Sequence, residues 1–165
     1  MSDTTQETQK ATFAAGCFWG VEAAFRKLKG VVSTSVGYIG GKTVNPAYKE
    51  VCTGKTGHAE AVEVIFNPSV ISYEDLLQVF WDNHNPTTRN RQGPDVGTQY
   101  RSAIFFHTPV QESAARLSKE KLAASGMYEN VIVTEITPAS AYYLAEDYHQ
   151  QYLEKRGLAT CHISS

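Results

Sequence analysis

The chain has 165 residues, 42% of them hydrophobic and 19% charged, the balance of one soluble globular domain rather than a disordered or fibrous chain. Fifteen Lys and Arg against seventeen Asp and Glu leave a net charge of −2, so there is no basic excess to hold nucleic acid or an anionic membrane. Three cysteines are too few for a disulfide scaffold, and the odd number leaves one thiol over, so Cys17, Cys52 and Cys161 are read one by one.

The first ten residues are polar and are expected to be disordered, with no apolar stretch of the kind a secretory signal needs. A cytoplasmic setting is expected, where a cysteine is a buried small side chain, a metal ligand or a redox-active thiol. Residues 11 to 156 are expected to form the working domain, and 157 to 165 an irregular tail. Ala11 to Ala15 reads as a strand. Phe18 to Lys29 carries Val21, Ala24, Phe25 and Leu28 at helical spacing before Gly30, with Cys17 at the join. Val31 to Ile39 and Ala59 to Phe66 alternate as strands, separated by a loop through Gly40-Gly41 and Asn45-Pro46.

Ser72 followed by Asp75 predicts a capped helix carrying Leu76, Leu77, Val79 and Phe80. Residues 83 to 98, rich in Pro, Gly and Asn, form a long loop, a feature usually tied to function. Arg101 to Phe106 is a strand, Thr108-Pro109 opens a helix that runs to about Ser125, and Val131 to Ile136 is a last strand. From Ala141 to Leu153 a Tyr-rich helical stretch is expected. The order implies an α+β, ferredoxin-like two-layer sandwich: a β-α-β-β-α-β core with an added helix and strand and an irregular C-terminal tail.

Three segments exceed what composition explains. Gly16-Cys17-Phe18-Trp19-Gly20 puts a thiol at a helix mouth, where unpaired amides and the helix dipole favour a thiolate; a buried structural cysteine among core aromatics accounts for it equally well. Gly54-Lys55-Thr56-Gly57-His58-Ala59-Glu60 leads a Glu into an apolar strand, where it is either a polar residue facing outward or an acid whose proton is held by burial. Asp95-Val96-Gly97-Thr98-Gln99-Tyr100-Arg101-Ser102 joins the long loop to a strand; taken alone, Asp95 makes a turn and Tyr100 is a strand aromatic.

In this order, and with Asn45-Pro46-Ala47-Tyr48 and Tyr148-His149-Gln150, the segments resemble the type A peptide methionine sulfoxide reductases, which act on the S epimer at sulfur. The resemblance runs from about Thr12 to Leu153 and implies the following roles. The Cys17 thiolate attacks the sulfoxide sulfur, while Glu60, with Tyr48 and Tyr100, holds and protonates the oxygen. Phe18 and Trp19 receive the S-methyl group, Asp95 orients the site, and His149 supports it. The sulfenic acid left on Cys17 condenses with Cys161 as resolving thiol, and thioredoxin or dithiothreitol re-reduces the disulfide.

No metal or bound cofactor is implied, and a monomer is expected. The sequence departs from the common family pattern in carrying Leu158-Ala159-Thr160 ahead of Cys161, where Gly-Tyr is usual, and Ala47 where Thr is frequent. Cys52 stays open between a small buried side chain and a second resolving thiol. The other reading of the residues is a cysteine hydrolase or acyltransferase, in which a His activates Cys17. An aromatic binding module built on Phe18, Trp19 and the tyrosines is the non-enzymatic option.

Overall fold

The computed structural model describes residues 8–150. In chain order it forms β1 (Gln9–Ala15), α1 (Phe18–Arg26), β2 (Val31–Ile39), α2 (Tyr48–Cys52), β3 (Ala59–Phe66) and α3 (Tyr73–Asp82). The small hairpin β4 (Arg91–Gln92) and β5 (Asp95–Val96) follows, then β6 (Ser102–Phe106), α4 (Pro109–Ala124), β7 (Glu135–Pro138) and β8 (Tyr142–Leu144). The expected tail and Cys161 lie outside the described residues, as does most of the segment expected to be disordered. Gln9 and Lys10 of that segment already belong to β1, because they pair with Phe66 and Ile65.

The main sheet has the order β7-β6-β1-β3-β2-β8. Its inner four strands are the split β-α-β arrangement: β3 lies between β1 and β2 and runs antiparallel to both, and β6 closes the other side of β1. The additions are β7, parallel to β6 across α4, and β8, antiparallel to β2. The ferredoxin-like α+β core read from the sequence is therefore present, with one more edge strand than expected.

Alternation along β1 sends Phe13 to one face and Ala14 to the other, and both are fully buried. Phe13 stacks on Phe25 of α1 at 5.2 Å and on Phe80 of α3 at 5.3 Å, which fixes both helices on one face. The opposite face carries a smaller cluster of Ala14, Ile39, Ala59, Ala61, Ala103 and Phe105.

Four elements differ from the sequence expectation. Helix α1 stops at Arg26, because Leu28 and Val31 close a turn instead and Gly30 takes a left-handed φ of +99° beside Ile71. The loop before β3 contains the short helix α2. The Tyr-rich segment expected to be helical forms β8 and a 3-10 turn over Asp147–His149. Partners far along the chain decide this: Tyr142 Oη lies 2.8 Å from Ser35 Oγ, and the Gln150 amide both accepts from Val36 N–H and donates to Val36 C=O. The last expected strand is also shifted to begin at Glu135, since Val133 N–H is taken by Pro86 C=O in the long loop.

The predicted cap of α3 is present: Ser72 Oγ accepts from Asp75 N–H at 3.0 Å, and the Asp75 carboxylate accepts from Ser72 N–H. Ser72→Ala is expected to cost about 1 kcal/mol of stability by urea denaturation, with no change of fold.

Candidate active site

Cys17 stands between the C-terminal end of the central strand β1 and the first turn of α1, at the N-cap position, with its side chain capping no amide. Gly16 before it has φ +96°, and a Cβ there would lie 2.7 Å from Gln92 Cγ, so the chain turns into the helix tightly packed against the long loop. The thiol is partly exposed. The helix's first amide is answered across the sheet: Phe18 N–H donates to Glu60 Oε1 at 3.3 Å.

Glu60 of β3 is 2% exposed, and its second oxygen, Oε2, has no hydrogen-bond partner. Burial pushes its pKa well above the ordinary carboxylate range, Cys17 and Asp95 add to the rise, and the Phe18 amide opposes it. Glu60 thus keeps its proton to higher pH than an ordinary carboxyl, and one of its oxygens is left without a partner. The outward orientation that suits Glu63 on the same strand does not apply to it.

The two sequence-singled tyrosines converge on the same place. Tyr48 begins α2, and Tyr100 ends the 3-10 turn Thr98–Tyr100. Both phenols are pushed far above their ordinary pKa, by burial first, then at Tyr48 by the hydrogen bond with Cys52 and at Tyr100 by the charge of Glu60, so both are hydroxyl donors throughout the physiological range. Asp95, in β5, acts on Glu60 and Tyr100 through its charge. Gln99 fastens the turn to α2 by donating to Cys52 C=O at 3.4 Å, and a Cβ at Gly97 would strike the Gln99 amide.

Aromatic walls close the site. Phe18 is 1% exposed and packs on Tyr38 at 5.8 Å and on His149 at 5.2 Å. Trp19 Nε1–H donates to His149 Nδ1 at 3.0 Å. Since burial lowers the His149 pKa and Nδ1 is an acceptor, the imidazole is neutral with its proton on Nε2. It lies 4.3 Å from the Tyr48 ring and 4.1 Å from the Tyr148 ring.

Cys52 is exposed, and its thiol faces the Tyr48 hydroxyl one helical turn back. Its pKa is raised, chiefly by desolvation. The structure therefore brings together Cys17, Phe18, Trp19, Tyr48, Glu60, Asp95, Tyr100 and His149, and adds Cys52 at the margin. Cys161 is not described.

Two residues escaped the sequence reading. Tyr38 Oη donates to Glu146 Oε1 at 2.9 Å, and Tyr48 N–H donates to Glu146 Oε2 at 2.8 Å. Glu146 stands just ahead of the Tyr148-His149-Gln150 segment, which was the one available signal. Among the described residues no group of three His, Cys, Asp or Glu side chains is arranged to hold a metal ion, and no helix is long and apolar enough to cross a membrane.

A ferredoxin-like core that sets a cysteine at a helix start against a buried carboxyl of raised pKa and two phenols is the frame of a thiol-dependent oxidoreductase. The model of the family "Peptide methionine sulfoxide reductase" matches residues 9–165. Over 159 residues the chain is 62% identical to the peptide methionine sulfoxide reductase MsrA of Geobacter metallireducens, covering 96% of this chain and 98% of that protein. Methionine sulfoxide reductase A of Corynebacterium diphtheriae superposes with a TM-score of 0.85 at 45% identity, over 96% of this chain and 79% of that one. Mxr1 of Saccharomyces cerevisiae in reduced form gives 0.86 at 40% identity, over 95% and 90%. In complex with Trx2 it gives 0.63 at 27% identity, over 92% and 89%. The chain belongs to the peptide methionine sulfoxide reductase family, type A, and is an enzyme.

Glu60 holds its proton in the folded state above the pH at which an unfolded glutamate, near about 4.3, has lost it. The native state therefore binds more protons than the unfolded one, and this group makes stability fall as pH rises from about 4.3 through the folded pKa. Glu60→Gln should remove that part of the slope in denaturant unfolding measured upward from about pH 4.

Proposed function

We propose that this enzyme reduces methionine S-sulfoxide, free or in proteins, with Cys17 as nucleophile and Glu60 as proton donor. The observation that carries the reading is Glu60 Oε2, a buried carboxyl oxygen without a partner beside the Cys17 helix start. A sulfoxide oxygen leaves sulfur only if protonated as sulfur is attacked, and a neutral carboxyl in a dry site supplies that proton. Tyr48 and Tyr100 donate to the same oxygen, and Phe18 and Trp19 receive the methyl group, with His149 holding the Trp19 indole. Exchanging methyl and oxygen would put the oxygen against aromatic faces, which accounts for the choice of epimer.

The Cys17 sulfur forms a bond to the substrate sulfur as Glu60 protonates the oxygen. The substrate S–O bond then breaks, the oxygen attaches to the Cys17 sulfur as hydroxyl, and the S–S bond breaks with its electron pair going to the methionine sulfur. Methionine leaves, and Cys17 is left as a sulfenic acid, oxidised by two electrons. The Cys161 thiol then displaces water to give a Cys17–Cys161 disulfide, which an external dithiol, thioredoxin in the cell or dithiothreitol in the assay, reduces by thiol–disulfide exchange. No metal or bound cofactor enters these steps. The reducing cytoplasm is the proposed setting, with the protein acting as a monomer. A hydrolase would need a histidine base for Cys17, but His149 Nδ1 accepts from Trp19 and His58 Nδ1 accepts from Gly41 N–H.

With dithiothreitol, the S epimer of a methionine sulfoxide derivative should be consumed and the R epimer left, and Cys17→Ser should be inactive. Turnover of the R epimer alone would contradict the assignment. Cys161→Ser is expected to reduce one equivalent of substrate and then stall with thioredoxin as donor. Mass spectrometry of oxidised wild type should find Cys17 bridged to Cys161; a bridge to Cys52 would reassign the resolving thiol.

A further inference from the structure

Helix α2, which carries Tyr48, has five residues, too few to hold its own conformation in water, so the place of the Tyr48 phenol depends on what grips the helix from outside. Its C-terminal end is held by Gln99 at Cys52 C=O and by Thr98 Oγ1, which donates to Gly54 C=O at 3.3 Å. At its N-terminal end the Tyr48 amide, one of the donors that a helix cannot satisfy internally, is taken by Glu146 Oε2 at 2.8 Å. The other oxygen of that carboxylate accepts from Tyr38 Oη at 2.9 Å. Tyr38 is fully buried in β2 and packs on Phe18, so its hydroxyl is a fixed point of the core.

We propose that Glu146 is a positioning residue for sulfoxide reduction: its carboxylate links the core-fixed Tyr38 hydroxyl to the Tyr48 amide and thereby sets the Tyr48 phenol over the reacting oxygen. This rests on the oxygen-binding role given to Tyr48 above. The chemistry of the carboxylate suits the task, since it offers two acceptors to two donors, and the companion contacts hold it ionised below the ordinary carboxylate range, with burial opposing. A glutamine of the same shape offers one oxygen and one amide, so it meets both anchors only if the Tyr38 hydroxyl reverses from donor to acceptor, and in either case both charge-assisted bonds are lost.

The test is the pre-reduced enzyme, mixed with excess S-sulfoxide without reductant, and the rate of the first turnover in wild type, Glu146→Gln, Tyr48→Phe and the double variant. Glu146→Gln should slow the limiting rate by about tenfold, the scale expected when a catalytic group is misplaced by a fraction of an ångström. The half-saturating substrate concentration should stay unchanged, because the Tyr48 hydroxyl matters most once charge develops on oxygen. Acting through Tyr48, the change should add no more than about twofold to the loss in Tyr48→Phe. Full additivity, an effect confined to half-saturation, or a wild-type rate in Glu146→Gln would each overturn the proposal.

A wild-type rate in Tyr48→Phe would instead strike the role given to Tyr48, and this proposal with it. Should Glu146→Gln fail to fold, Tyr38→Phe serves in the same cycle, since it removes one donor and keeps the ring in the core. It must slow the first turnover non-additively with Tyr48→Phe, and additivity there overturns the proposal equally.

Discussion

Glu60 reaches from the middle strand of the sheet to the first amide of α1, and that single 3.3 Å contact joins the two halves of the site. It exists because β1 and β3 are neighbours in the sheet, so the end of one strand and the start of the other meet beside the helix mouth. The helix offers unpaired N–H groups there, and the strand offers a carboxyl that burial keeps neutral. An ionised Glu60 would be favoured by the amide but penalised by the dry surroundings and by the nearby Cys17 and Asp95. Burial prevails, the pKa is raised, and a carboxyl oxygen is left with no partner inside the protein.

Everything else in the site keeps that arrangement dry and oriented. The Phe13, Phe25 and Phe80 stack sets the angle of α1 and α3 on the sheet, and thereby the place of Phe18 and Trp19 at the start of α1. The long loop closes over the other side, with Gln92 against Gly16 and the Thr98–Tyr100 turn against the end of α2. His149, neutral and enclosed by Trp19, Phe18, Tyr48 and Tyr148, seals the aromatic wall. In the proposed reaction, donors of hydrogen bonds rather than charges meet the oxygen that gains negative charge, which suits acid-assisted attack by sulfur.

The elements that the sequence made legible are those whose cause is local. The cap at Ser72, Pro109 at the start of α4, and the strand over Ala59–Phe66 are written within a few residues, and each appears where expected. The segment after Ala141 reads as helical because its aromatic spacing suits a helix, while its backbone is committed to the edge of β2 by Gln150 and Tyr142. No local pattern records that commitment, since the partners lie more than a hundred residues away.

The same division holds for the chemistry. From the sequence came the candidate residues and their order, Cys17 at a helix mouth, then Tyr48, Glu60, Asp95, Tyr100 and His149, through motifs that resemble a known family as a set, because motifs are short and covalently contiguous. Whether Glu60 faces solvent or the core was open in the sequence, and so was the tautomer of His149, because both depend on burial and on partners brought by other strands. Glu146 and Tyr38 were invisible for the same reason: a carboxylate that links residues 98 and 108 positions away acquires its meaning only when the sheet closes and β8 lies along β2.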